Sequence, residues 1–178
     1  RDGEGVSSIV ANLARYMAEK KTFGNILVID GNLQHPVLHG EFGVQISPGL
    51  TDVLTEKSDL SQSVQKTTME NLSIIPSGSP LSDASGIIEQ NKFSAILDTI
   101  GQAYDCILID SPPLLVSPDA TSLAISSDTT FLIIQAYRIQ WEVAERTKLH
   151  LQENHCSIGG AILNRARQVI REWIYKRL

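Results

Sequence analysis

Two apolar runs that each stop at an aspartate constrain this chain most: NILVID at 25–30 and CILID at 106–110. Nearly continuous stretches of Ile, Leu and Val suit strands covered on both faces, the usual state of strands in a parallel sheet. TFLII at 130–134 is a third such run, and LSIIP at 72–76 and IGGAIL at 158–163 are two further candidates. Amphipathic stretches at 92–104, 120–126 and 141–155 lie among them. Residues 8–20 read as a helix with Ile9, Val10, Leu13, Ala14, Met17 and Ala18 on one face at helical spacing. Strands alternating with helices predict a doubly wound, mostly parallel α/β sheet. Residues 34–67, with Gly43, Pro48 and Gly49, are less regular and are expected to form short helices over one sheet edge. No repeat, low-complexity tract or boundary divides the chain, so 1–178 is expected to be a single domain.

In such sheets ligands sit at the carboxyl ends of the strands. Asp30 and Asp110 close two strands alike, so both should face that crevice. Either one alone reads as a strand-end turn residue. Together, and beside a glycine-rich loop that opens a helix, they point to a phosphate–metal site. The loop is Arg1–Asp2–Gly3–Glu4–Gly5–Val6–Ser7–Ser8. A P-loop cradles phosphates on its amides, reaches the β- and γ-phosphates with a lysine and holds magnesium with a Ser or Thr hydroxyl. Gly5 and Ser7 fit that scheme, while Val6 stands where the lysine belongs. A P-loop is also aimed by a strand before it. None precedes Arg1, so the chain is expected to be a piece of a longer protein.

The net charge of −5 argues against a broad nucleic-acid footprint, although basic residues gather between Arg165 and Arg177. Cys106 and Cys156 lie in or beside apolar runs and read as buried free thiols of a reducing compartment. The four histidines are dispersed, and Trp141 reads as a packing residue. No apolar stretch approaches the ~18 residues of a membrane-spanning helix.

The motifs, taken in order, resemble bacterial tyrosine kinases of exopolysaccharide and capsule assembly, which group with the partitioning and division-site ATPases of the deviant Walker A type. GEGVSS at 3–8 followed by ANLA at 11–14 resembles their P-loop and first helix. VIDGNLQHP at 28–36 resembles a second acidic strand reading Asp–x–Asp–x–Arg–x–Pro. GLTDVL at 49–54, LSIIPSG at 72–78, YDCILIDSPP at 104–113 with Asp119–Ala120, and GAILNR at 160–165 resemble the later segments, the last ending near the adenine. The resemblance implies Mg-ATP as cofactor, with Gly3, Glu4, Gly5, Val6, Ser7, Ser8, Asn164 and Arg165 at the nucleotide. It implies Ser7, Asp30 and Asp110 as magnesium ligands, with Asp30 and Asp110 catalytic. It also implies a cytoplasmic domain at the inner face of the plasma membrane, fused to or docked on a polysaccharide co-polymerase, and able to form homo-oligomers.

The departures fall on the chemistry. The lysine is Val6, the second acid is Asn32 and the following arginine is Gln34. Phosphoryl transfer depends on positioning and charge, and an amide is no general base at neutral pH. The expected function is therefore a kinase-like regulatory or docking module with weak or lost ATP binding. The alternatives are an active tyrosine autokinase and a partitioning-type ATPase. In the partitioning ATPases a signature lysine lies five residues before the P-loop lysine; here that position is Arg1. The tail holds only Tyr175 as phosphoacceptor, and Trp173 and Ile174 read as docking anchors.

Overall fold

A computed structural model describes residues 4–81 and 84–166. Gly3, Arg1, Trp173, Ile174 and Tyr175 lie outside the described residues. The elements run α1 (Val6–Lys20), β1 (Ile26–Asp30), α2 (Leu38–Phe42), α3 (Leu50–Leu54), α4 (Leu60–Ser63), β2 (Gln65–Lys66), β3 (Leu72–Ile75), α5 (Gln90–Ile100), β4 (Cys106–Asp110), α6 (Pro118–Ile125), β5 (Thr130–Gln135), α7 (Trp141–Glu153) and β6 (Ile158–Asn164). All five sequence-read strands form, and β1 pairs in parallel with both β3 and β4.

Side chains alternate across β1 and meet a different layer on each face. Ile26 and Val28 join Ala11, Ala14, Met17 and Ala18 of α1. Leu27 and Ile29 join Phe93, Ile96 and Ile100 of α5, Leu123 of α6 and Leu50 of α3. All four apolar β1 side chains are fully buried. Truncating one to Ala would cost roughly 2–5 kcal/mol.

Three expectations need correction. The stripe of α1 that packs runs through Ala11, while Leu13 is 42% exposed. Small alanines let the helix lie close on β1 and β4, which moves Leu13 to the rim. Trp141 is not a packing residue: at the first position of α7 it is 73% exposed. Cys106 and Cys156 are free but only half-buried.

The strands also divide, with order β2-β3-β1-β4 in one sheet and β5-β6 in another. Among the described residues β4 bonds only to β1, and β5 only to β6. Burial on both faces therefore holds for β1 and β3, whereas Phe131 in β5 and Leu163 in β6 are more than half exposed. The irregular stretch forms α2, α3 and α4 as expected, and adds β2, which pairs antiparallel with β3. Leu50 and Thr51 donate their amides to the carbonyls of Pro76 and Ser77, so α3 stands at the carboxyl end of β3.

Candidate nucleotide site

The site lies where β1, β4 and β6 end around the loop before α1. Gly5 caps α1 with φ 87°, a left-handed conformation that glycine adopts without strain. The helix consequently starts at Val6, two residues earlier than the apolar pattern suggested, and its first amides have no partner within the helix. Such a helix start attracts anions through its unpaired N–H groups and its dipole.

Asp30 and Asp110 are register partners at the ends of β1 and β4, and both are fully buried. Gly31 makes this closeness possible. Its amide donates to the Asp110 carbonyl at 2.9 Å, and a Cβ there would stand 2.6 Å from that oxygen and 2.7 Å from Leu123 Cδ1. The Ser7 hydroxyl donates to Asp110 Oδ2 at 2.5 Å, while Asp110 Oδ1 is buried with no hydrogen-bond partner. Asp30 is differently engaged: its Oδ1 accepts from the Asn32 amide at 3.2 Å and its Oδ2 from Leu38 at 3.3 Å. It thus fastens the turn into α2 while ending beside Asp110.

Burial drives the Asp30 carboxyl up to about 7, and the neighbouring Asp110 adds to the rise. Burial lifts Asp110 to about 6, with the Ser7 hydroxyl opposing it. Two acids that resist ionising, with one oxygen unpartnered and a hydroxyl in contact, suit a hard divalent cation that would stabilise the charged forms. Ser7, Asp110 and Asp30 thus fit magnesium, and the α1 amides fit phosphate.

The remaining sequence-read residues fall as follows. Asn164 at the end of β6 donates Nδ2 to the Glu4 carbonyl at 2.7 Å, and its Oδ1 accepts from the Arg165 amide at 2.8 Å. A Cβ on Gly5 would lie 2.5 Å from that same Nδ2. Asn164 therefore holds the loop as well as the strand end, a role its sequence motif did not announce. Arg165 follows in a left-handed conformation, φ 54°. Val6 is half-buried at the first helical position, and Ser8 is exposed. Asn32 Oδ1 is buried without a partner. Its residue lines a cavity of about 130 Å³ with Gln34, His35, Pro112, Pro113 and Val116. Asp119 is buried too, and accepts from the amides of Gly86 and Ile88 and from the Ser117 hydroxyl, which ties α6 to the segment before α5. Arg138, beyond β5, was not singled out by sequence: its charge reaches Glu4 across a separation that no local pattern encodes.

These features define a P-loop-type nucleotide-binding α/β domain. Residues 1–147 match the family described as AAA domain. The chain is 31% identical to tyrosine-protein kinase YwqD of Bacillus subtilis over 91% of this chain and 68% of that one. Among solved structures, the VpsO kinase domain is 30% identical with a TM-score of 0.84, covering 93% of this chain and 81% of that one. The septum site-determining protein MinD of Pyrococcus horikoshii, complexed with Mg-ADP, is 25% identical with a TM-score of 0.77, covering 99% of this chain and 73% of that one. The chain belongs to the bacterial tyrosine-protein kinase family of P-loop ATPase domains.

Proposed function

We propose that this domain is a catalytically impaired tyrosine-kinase-like module that binds Mg-nucleotide weakly and acts by docking. The observation that carries this is an imbalance within the site. The magnesium side is complete, with Ser7 on Asp110, an open Asp110 Oδ1 and Asp30 alongside. The phosphate side lacks its ammonium, because Val6 occupies the first position of α1. An amide, Asn32, stands where the relatives' resemblance places a second acid.

Bound Mg-ATP would supply a transferable phosphoryl group. Ser7, Asp30 and Asp110 would hold its metal, the α1 amides its phosphates, and Asn164 with Arg165 the adenine side. Without the lysine, charge developing on the transferred group goes unmatched, and such elements are worth ~3 kcal/mol or more in rate terms. Asn32 cannot take the acceptor's proton.

Among the described residues the start of α1 lies between the two sheets, held by Asn164 of one at the Glu4 carbonyl and by Asp110 of the other at Ser7. Docking on a membrane polysaccharide co-polymerase, fused or separate, at the inner face of the plasma membrane, follows the family resemblance. So does homo-oligomerisation. No helix among the described residues is long and apolar enough to cross a membrane.

The test is autophosphorylation of purified protein with Mg-ATP, read with anti-phosphotyrosine antibody. The reading expects no signal. A signal abolished by Asp110→Ala would establish a working kinase instead.

A further inference from the structure

With Val6 in the lysine's place, the phosphate cradle needs another source of positive charge, and one candidate follows a neighbouring strand. Arg138 stands in the turn after β5. Its amide donates to the Gln135 carbonyl at 3.4 Å, and its Nη1 donates to Gln135 Oε1 at 3.3 Å. Gln135 is the register partner of Asn164, and Ala136 donates its amide to the Asn164 carbonyl at 2.9 Å. Asn164 in turn grips the loop at the Glu4 carbonyl, 2.7 Å away. The Arg138 turn and the phosphate loop are thus fastened to one residue. Arg138 is exposed, and its guanidinium donates one long hydrogen bond, to the neutral Gln135 side chain.

Burial raises the Glu4 carboxyl, and positive charge pulls it back, that of the amino terminus first and that of Arg138 second. A nucleotide phosphate carries more negative charge than one carboxylate. It also offers the oxygen pairs that a guanidinium fork matches with two parallel hydrogen bonds.

We propose that Arg138 is the phosphate-binding cation of this site, reaching the polyphosphate of a nucleoside di- or triphosphate from the β5 side in place of a lysine at position 6. The inference rests on the reading that the loop takes nucleotide phosphate, and adds which residue holds it. It also accounts for binding without efficient transfer. A cation supplied from the strand side of the loop neutralises bound phosphate but does not occupy the position beside the α1 start where a lysine at 6 would follow the moving group. Glu4 competes with the phosphate for Arg138, so neutralising Glu4 should help binding only while Arg138 is present.

Calorimetric titration of the whole chain with Mg-ATP, Mg-ADP and magnesium pyrophosphate tests this, comparing wild type with Arg138→Ala, Arg138→Lys, Glu4→Gln and the Glu4→Gln/Arg138→Ala pair. The expected result is a fivefold or larger loss for Arg138→Ala with all three ligands and partial recovery with Arg138→Lys. A gain is expected from Glu4→Gln that disappears when Arg138 is Ala. Thermal unfolding of Arg138→Ala should match wild type, since the side chain is exposed. Wild-type affinity retained in Arg138→Ala overturns the role of Arg138 and leaves the nucleotide reading standing. A wild type that binds none of the three overturns both. A Glu4→Gln gain that persists without Arg138 also overturns the proposal.

Discussion

Asp30 and Asp110 end adjacent parallel strands in register, both fully buried, with Ser7 hydrogen-bonded to the second at 2.5 Å. Two carboxyls in this arrangement disfavour joint ionisation. The consequence is an energetic load that the fold carries in the absence of cation.

That load has a sign. The folded-state values, about 7 for Asp30 and about 6 for Asp110, lie above the ordinary carboxylate range. The folded state therefore binds more protons than the unfolded state between ~4 and ~7, and stability falls as pH rises through that window. Below it the pair's contribution is fully present. Denaturant unfolding at a series of pH values should show this decline, and Asp30→Asn should flatten it. Millimolar magnesium should reduce it by favouring the ionised pair. A stability profile identical in wild type and Asp30→Asn between pH 4.5 and pH 7.5, on the order of the window set by ordinary and raised values, would contradict the coupling.

Gly31 keeps those acids together. A Cβ at this position meets the Asp110 carbonyl at 2.6 Å and Leu123 Cδ1 at 2.7 Å, and the backbone contact cannot yield without parting β1 from β4. Gly31→Ala should destabilise by roughly 1–3 kcal/mol, as overpacking of tight sites does. Chemical denaturation measures it. Gly40, with open space around it, is the control, where alanine should be well tolerated.

Asp52 organises the other rim. Its Oδ2 accepts from the Ser47 hydroxyl at 3.0 Å, the Gly49 amide at 2.9 Å and the Ser79 amide at 3.0 Å. Burial opposes its charge, yet these donors hold its carboxyl below the usual range. Asp52→Ala strands buried amides and should cost about 3 kcal/mol. The loss should be visible as a lower unfolding midpoint with unchanged denaturant dependence.

Most of the scaffold was legible because burial on both faces demands unbroken apolar runs. β1 and β4 were read to within a residue, and the aspartates that stop them end side by side in register. The short β2 was not legible: Gln65–Lys66 carries no apolar signal and forms only because β3 offers it an edge. The exposed positions Leu13 and Trp141 were misread, since helical spacing shows which residues share a face but not where the neighbouring layer ends. The tie from Asn164 to Glu4 spans 160 positions. Arg138, whose charge acts on Glu4, is likewise remote in sequence. Such pairings arise from strand order, which no local pattern states.

Restoring charge to the loop is the sharpest test of the site as a depleted P-loop. Gly5 holds the turn, Ser7 and Asp110 keep the metal side, and Val6 stands half-buried at the first position of α1. Val6→Lys returns an ammonium to that helix start, and its flexible stem can carry the charge outward from a half-buried position. Asn32→Asp returns a second carboxylate where the Asn32 Oδ1 now lies buried and unpartnered. Val6→Lys alone should tighten Mg-ATP binding by roughly tenfold or more, the equivalent of ~1.4 kcal/mol. The double variant should bind more tightly again, with effects that couple rather than add, because both groups act on one ligand. Asn32→Asp alone should do little, since it adds negative charge close to Asp30, which already neighbours Asp110. Calorimetry on each variant, with thermal unfolding to establish the fold, decides the matter. A folded double variant with no gain in affinity would place the defect in loop geometry or a closed adenine pocket, and the charge account of this site would fail.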